Sequence, residues 1–201
     1  MILAVATLLS ACGPSLQSHV RDDWATVDRT QVRRLSVVSA PLPDAADANA
    51  AALQGTLWSL MARRYVNQHR DFVVRAQGTA PAFDLAAQCT ATASSGGHAF
   101  EGTLHLAPRL IPRGDEAEVT VDARLLRCRD GEPVWTGRAQ GSYPTTDAEL
   151  LALTEHYVRE LGEPVRPWVA PVFRVLRALL DTLPQPVLDD ETQVEKIELG
   201  E

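Results

Sequence analysis

The three cysteines are the residues whose type and position predict chemistry most directly in this chain. Cys12 follows residues 1–11, an apolar run without a charged side chain. That run is about half the length that a helix needs to span a bilayer. A short apolar stretch ending in small residues is typical of a secretory signal that is later removed. We therefore predict that residues 1–11 are a signal peptide and not a lasting membrane anchor.

The segment Leu9-Ser10-Ala11-Cys12 resembles the lipobox of bacterial lipoprotein signal peptides. In that family the cysteine thiol takes a diacylglycerol, the peptide is cut before it, and the new amine receives an acyl chain such as palmitate. The resemblance implies covalent lipid on Cys12 and no other cofactor. Two or three acyl chains anchor a protein stably, whereas one binds only marginally. The chain departs from the family in having no Lys or Arg before the apolar run. The alternative to a signal peptide is a short buried strand that ends at an ordinary cysteine.

Gly13 follows the predicted lipid site. By the sorting rule of enteric bacteria, glycine there, in place of aspartate, directs a lipoprotein to the outer membrane. The resemblance therefore implies a lipid-anchored protein of the outer membrane that faces the periplasm.

Cys89 and Cys128 remain as an even pair once Cys12 is lipidated. In an oxidising compartment such a pair predicts a disulfide, which requires the two Cα atoms to lie within about 7 Å. Two buried free thiols are the alternative. Two cysteines do not make a zinc site alone, and no histidine stands at ligand spacing, so we predict no metal.

Motifs for catalysis are absent from the sequence. It contains no G-x-S-x-G, H-E-x-x-H, G-x-x-x-x-G-K or G-x-G-x-x-G, which are the signatures of nucleophile, metal and phosphate sites. Ser94, Ser95 and His98 are close in sequence, but that proximity alone does not make a triad. We predict that the protein is not an enzyme.

The net charge of −7 bears on the class of partner. A nucleic-acid partner requires a basic patch that neutralises phosphates, and an excess of acidic residues argues against such a partner.

Removing residues 1–11 leaves 190 residues, enough for one domain with a substantial core.

The elements that position these residues follow from hydrophobic periodicity. We predict a lipid-bearing tether over residues 12–30, a single α/β (α+β) domain over 31–183 and an acidic tail over 184–201. Within the domain, the spacing of apolar residues indicates a strand over 31–39, a helix that ends at about residue 68, and a β-meander from residue 100 to 139 with a turn at Asp130-Gly131. The sheet should have about five strands and be covered by three helices. Thr146-Asp147-Ala148-Glu149 predicts a capping box for the second helix.

This pattern resembles the α/β domain of the amino-terminal part of TolB and of CsgG-like outer-membrane lipoproteins. Three segments carry the resemblance: QVRRLSVVSAPLP, LQGTLWSLMARRYVNQHRDFVV and VTVDARLLRCRDGEPVWTGRAQG. The chain is also similar to an uncharacterised group of myxobacterial and leptospiral lipoproteins with an acidic carboxyl end. The resemblance covers roughly residues 31–183 and implies a fold but no catalytic residue.

Two segments are candidates for contact with a partner. The helix over 166–183 has Trp168 and Phe173 near its start; burial against the sheet is its expected role, and contact with a membrane or a partner is the alternative. The acidic tail is expected to be solvated, and a docking segment for a basic partner is the alternative. Val194, Ile197 and Leu199 favour the alternative, because their apolar positions are too regular for a purely solvated segment. We predict that deleting residues 188–201 barely lowers the melting temperature but weakens partner recovery.

The sequence leaves two functional hypotheses. The first is a non-enzymatic accessory or assembly lipoprotein that binds another envelope protein. The second is a carrier of a small ligand or lipid, with a pocket between the last helix of the domain and the sheet. A closed core under Val172, Leu176 and Leu180 would favour the first hypothesis, and a deep apolar cavity there would favour the second.

Overall fold

A computed structural model describes residues 13–43, 45–90 and 99–199. Within these ranges six strands form one mixed sheet in the order β1-β6-β5-β4-β2-β3, which confirms the α/β fold class. The strands are β1 (Ser15–Val20), β2 (Arg34–Ser39), β3 (Val73–Thr79), β4 (Gly102–Arg113), β5 (Glu116–Arg127) and β6 (Pro133–Pro144). The helices are α1 (Ala48–His69), α2 (Leu85–Thr90), α3 (Leu151–Leu161), α4 (Arg166–Leu180) and α5 (Asp190–Glu198).

The sheet joins a parallel half to an antiparallel half. Strand β2 lies between β3 and β4 and is parallel to both. Helix α1 makes the long crossover that parallel neighbours require. Strands β4, β5 and β6 form the predicted meander, and the tight turns at Gly114 and Gly131 have φ of 68° and 78°, a conformation that favours glycine.

The predicted tether over residues 12–30 is wrong for most of its length. Ser15–Val20 form an edge strand that pairs antiparallel with β6. Trp24 is buried in the hydrophobic core, and the fully buried Asp28 accepts a hydrogen bond from Arg127 at 2.7 Å. The β1 side chains are largely exposed, so backbone pairing and not an alternating hydrophobic pattern defines this sixth strand.

One face of the sheet is covered by α1 and α4. Trp58 of α1 and Trp135 of β6 are buried there, and Trp135 Nε1 donates to Thr182 Oγ1 at 3.2 Å. The second of the three predicted helices, α3, packs mainly on α4 and α1 and not on the sheet. Burial of each large apolar side chain stabilises the fold by roughly 1.5–3 kcal/mol.

Helix α4 is buried as expected. Val172, Leu176 and Leu180 have no exposed surface. Along the described ranges no helix is long and apolar enough to cross a membrane. Pro171 lies inside α4, beyond the first turn of the helix, which is where a proline costs no helical hydrogen bond.

The other face of the sheet is divided between covered and open regions. Helix α2 lies on β4 and helix α5 lies on β3, and Phe83, just before α2, packs on His105 of β4 with ring centroids 4.3 Å apart. Over β4, β5 and β6 the outward side chains are exposed and polar, including Arg109, Asp122 and Arg138.

The disulfide between Cys89 and Cys128 is confirmed. The two Cα atoms lie 5.5 Å apart and the sulfurs are bonded across 39 residues of sequence. The disulfide bond connects α2 to the end of β5.

The observed helix cap differs from the predicted capping box. Asp147 accepts a hydrogen bond from the amide of Glu149 at 2.9 Å, and the capping residue is therefore Asp147 and not Thr146.

Candidate functional site

The acidic tail folds back on the domain as helix α5 and is not a solvated extension. Asp189 caps the helix, because its side chain accepts a hydrogen bond from the amide of Thr192 at 2.9 Å. The hydrogen bonds from Thr192 lower the pKa of Asp189, and the Arg33 guanidinium lowers it further. The carboxylate is therefore held in the form that both the helix start and the arginine require.

The side of α5 that meets the sheet is charged. Glu195 is 4% exposed, and it accepts from Arg34 Nε at 2.9 Å and contacts Arg75 at 3.1 Å. Arg34 also donates to Glu191 at 3.0 Å. Burial works to lower the pKa of Arg34, but the hydrogen bond and charge of Glu195, together with Glu101 and Glu191, outweigh it, so the pKa of Arg34 is raised.

Glu101, directly before β4, completes this cluster. One of its oxygens accepts from the amide of Arg33 at 2.6 Å and from the amide of Arg34 at 3.0 Å. Its other oxygen lies 3.3 Å from the Arg33 guanidinium. The same carboxylate thus fixes the backbone at the start of β2 and one of the arginines that hold α5.

Lys196 makes the remaining polar contact of α5 with the domain. Its Nζ donates to the carbonyl of Phe72 at 2.9 Å and to the carbonyl of Arg70. Burial lowers the pKa of Lys196. The helix is therefore held by charged and polar groups along its whole inner side.

The outer side of α5 exposes apolar side chains among charged ones such as Asp190 and Glu198. Val194 is 55% exposed and Ile197 is 78% exposed, and Val187, just before the helix, is 41% exposed. Leu199 is half-buried and lines, with Ile197, a shallow groove of about 410 Å³ between α5 and the end of α1. A helix on a soluble protein normally buries its apolar side and exposes its charged side. Helix α5 instead buries Glu195 while it exposes Val194 and Ile197, and we call Val194, Ile197 and Leu199 the α5 apolar surface.

Trp168 and Phe173 lie on α4 and not on the α5 apolar surface. Both are half-buried against the core. Phe173 packs edge-on against Tyr65 with ring centroids 6.2 Å apart. Tyr65 donates to Asp181 at 2.5 Å, and burial followed by this bond raises the pKa of Tyr65 to about 12. Of the predicted contact residues, the structure therefore brings together Val194, Ile197 and Leu199 and places the two aromatic residues elsewhere.

Sequence reasoning missed the charged cluster that holds α5. Its arginines lie at the starts of β2 and β3, about 120 to 160 residues from their carboxylate partner. One local signal was present: Asp189 followed by acidic residues, with Lys196 near the end, is the charge order of a capped helix. That signal predicts α5 but not its docking.

Other candidate residues are placed differently. Cys12, the predicted lipid site, and Ser94, Ser95 and His98 lie outside the described residues. Within the described part of the chain no group of three His, Cys, Asp or Glu residues is arranged to hold a metal ion.

Comparisons with known proteins give a likeness of fold at low identity. No protein-family model matches the chain, and no curated protein matches it. The PelC dodecamer from Paraburkholderia phytofirmans is 14% identical, with a TM-score of 0.41, over 78% of this chain and 97% of that one. Lipoprotein GNA1162 from Neisseria meningitidis is 16% identical, with a TM-score of 0.35, over 64% and 96%. Uncharacterised lipoprotein B from Nitrosomonas europaea is 16% identical, with a TM-score of 0.25, over 74% and 82%. No family and no function follow from these likenesses, and the resemblance to the TolB and CsgG-like domain stays a prediction.

Proposed function

We propose that this chain is a lipid-anchored lipoprotein of the bacterial envelope that binds another envelope protein as a non-enzymatic accessory or assembly factor. Lipid on Cys12 holds it at the outer membrane on the periplasmic side. The observation that carries the proposal is the α5 apolar surface. Exposed apolar side chains that cluster on one element are typical of a protein interaction site.

The way α5 is held supports a fixed recognition site. A mobile tail that folds on binding loses conformational entropy at that moment, which weakens the complex. Here the contacts of Glu195 with Arg34 and Arg75 already hold α5 in place. A partner therefore meets Val194 and Ile197 in a preformed arrangement, which lowers the entropic cost of association.

The structure of α4 argues against the carrier hypothesis. A ligand pocket between α4 and the sheet needs space under Val172, Leu176 and Leu180. These side chains have no exposed surface and belong to the hydrophobic core. The closed core is the outcome that favours a protein-binding role.

Photo-cross-linking in intact cells tests the proposal. A photoreactive amino acid replaces Ile197 in one variant and Val194 in another. We expect each variant to give the same discrete cross-linked species, and mass spectrometry should identify one envelope protein in both. The cross-link at position 197 should be lost when Val194→Glu is added, because the charge places a desolvation cost at the centre of the contact.

Leu151 provides the matched control. It is an apolar side chain on α3 that is 59% exposed, similar to Val194. The photoreactive residue at position 151 should not give the species found at 194 and 197, and Leu151→Glu should not remove it. An identical pattern from all three positions, or no discrete species at 194 and 197, would contradict the proposed interaction site.

A further inference from the structure

The strand register fixes how far each part of the sheet extends towards the point where the lipid would be attached. Ser15, the first residue of β1, lies opposite Gln140 of β6, and Gln140 lies opposite Thr120 of β5. Thr120 in turn lies opposite Arg109 of β4. These four residues form one row across the sheet.

The β4–β5 hairpin continues beyond this row. Ile111 pairs with Glu118, and Arg113 pairs with Glu116 before the turn at Gly114. Four further residues at about 3.3 Å each carry the hairpin tip about 13 Å past Ser15. Because β1 is antiparallel to β6, the chain before Ser15 leads towards this same end of the sheet.

The link to Cys12 is shorter than the hairpin. Cys12 stands three residues before Ser15, and three residues span at most about 11 Å even when fully extended. Pro14 lines the same surface depression as Tyr143 and Pro144 of β6 and Ala170 of α4, which keeps the chain at this end of the domain. The hairpin tip therefore extends at least as far as the residue that would carry the lipid.

We infer that the β4–β5 hairpin rests on the lipid headgroups and holds the sheet upright, with the α5 apolar surface directed away from the membrane. The inference rests on the proposed lipidation of Cys12. The tip presents Pro112 and the 63% exposed Arg113 beside Asp115 and Glu116. This mixture of charges fits a zwitterionic lipid surface. Because it gives no strong electrostatic attraction, the short link to Cys12 is what keeps the hairpin tip in contact with the headgroups.

The opposite end of the sheet holds α5. Glu101, directly before β4, contacts Arg33 and Arg34, which bind α5. The twelve residues of β4 separate that end from the hairpin tip, which corresponds to about 35 Å at about 3.3 Å per residue. The α5 apolar surface also lies at the β3 edge, whereas the link to Cys12 leaves from the β1 edge. Its partner is therefore a protein met in the aqueous compartment, and not the anchoring membrane.

Lipid photo-cross-linking tests this orientation with the full lipidated protein in vesicles of phosphatidylethanolamine and phosphatidylcholine. A photoreactive residue replaces Arg113 in one variant and Arg129 in the other. Arg129 is a matched control because it is a partly exposed arginine beside the β5–β6 turn, at the far end of the sheet. We expect cross-links to lipid from position 113 and only background from position 129.

A second variant changes the link alone. About ten glycine and serine residues inserted after Gly13 lengthen it from three residues to about thirteen, and the effective concentration of the tip at the surface should fall roughly ninefold, as the −3/2 power of linker length. We expect the cross-link yield at 113 to fall by about that factor while the protein still sediments with vesicles. Equal yields at 113 and 129, or an unchanged yield after the insertion, would overturn the orientation while leaving the anchor intact. Failure of the unmodified protein to sediment with vesicles would overturn the lipid anchor and this inference together.

Discussion

Arg34 and Glu195 are 161 residues apart in sequence, yet Arg34 Nε donates to Glu195 Oε2 at 2.9 Å in a buried position. Arg75 contacts the other carboxylate oxygen of Glu195 at 3.1 Å. Buried charges are costly unless they are paired with good geometry. This pairing joins the acidic carboxyl end to two parallel strands and determines which side of α5 faces solvent.

Glu195→Ala should destabilise the protein strongly. The substitution leaves the buried Arg34 and Arg75 without their shared carboxylate, and loss of one partner from a buried ion pair costs about 3–5 kcal/mol. We expect the free energy of unfolding in urea to fall by about 3 kcal/mol, near the lower limit because Glu101 and Glu191 still contact Arg34. Glu198→Ala, at an exposed position on the same helix, should change it by less than about 0.5 kcal/mol. Similar effects of both substitutions would contradict the role of the cluster.

Deleting residues 188–201 should lower the melting temperature markedly, contrary to what the sequence alone predicts. The deletion removes Asp189, Glu191 and Glu195 from Arg33 and Arg34. A loss of about 3 kcal/mol corresponds to roughly 6–12 °C in a domain of this size. Calorimetry of the deleted and full chains measures this directly. A change of only one or two degrees would show that the cluster contributes little.

Much of the fold is predictable because its signals are local. Strands β4, β5 and β6 alternate apolar and polar residues, and α1 and α4 repeat apolar residues at helical spacing. Strand β1 gives no such signal, because Ser15–Val20 are largely exposed and the strand is defined by backbone pairing with β6. The predicted tether was wrong for this reason.

The candidate site is predictable only in part. The spacing of Val194, Ile197 and Leu199 is local, and it correctly marks apolar residues in an acidic segment. Their exposure depends on which side of α5 docks, and that depends on Arg34 and Arg75, which the chain brings near only after the sheet has formed. Sequence spacing contains no information about such a long-range pairing.

Cys12→Ser should release the protein from membranes. An oxygen at this position does not accept the diacylglycerol that a thiol takes, so the product should stay unprocessed or become soluble. We expect metabolic palmitate labelling to disappear and the protein to be removed by a carbonate wash. Cys89→Ser is the control, because it removes a thiol outside the lipobox and should leave labelling unchanged. Membrane retention of Cys12→Ser at the unmodified level would contradict lipidation.

Loss of the disulfide should destabilise the domain without changing its fold. The bond closes a loop across 39 residues, and the chain-entropy relation gives about 4 kcal/mol for a loop of that length. The double variant Cys89→Ser with Cys128→Ser should unfold at lower urea concentration with an unchanged far-ultraviolet circular dichroism spectrum. The same shift should follow from a reductant acting on the unmodified protein. A variant as stable as the oxidised protein would show that the bond constrains little.

His105 should make stability depend on pH in the mildly acidic range. Burial lowers the pKa of His105 below the ordinary value of 6.5, and the nearby Arg124 lowers it further. The unfolded chain therefore binds a proton at a higher pH than the folded protein does. The stability that neutral His105 contributes is fully present above pH 6.5 and is lost as pH falls through the folded-state pKa.

The His105→Gln variant isolates this effect. Glutamine removes the titrating group while keeping a polar side chain beside Phe83, which packs on His105 at 4.3 Å. We expect the unmodified protein to lose more stability than this variant between about pH 7 and pH 5, as measured by urea unfolding at each pH. Parallel stability profiles for the unmodified protein and His105→Gln would mean that the packed imidazole stays accessible to protons, and that α2 covers this part of the sheet only loosely.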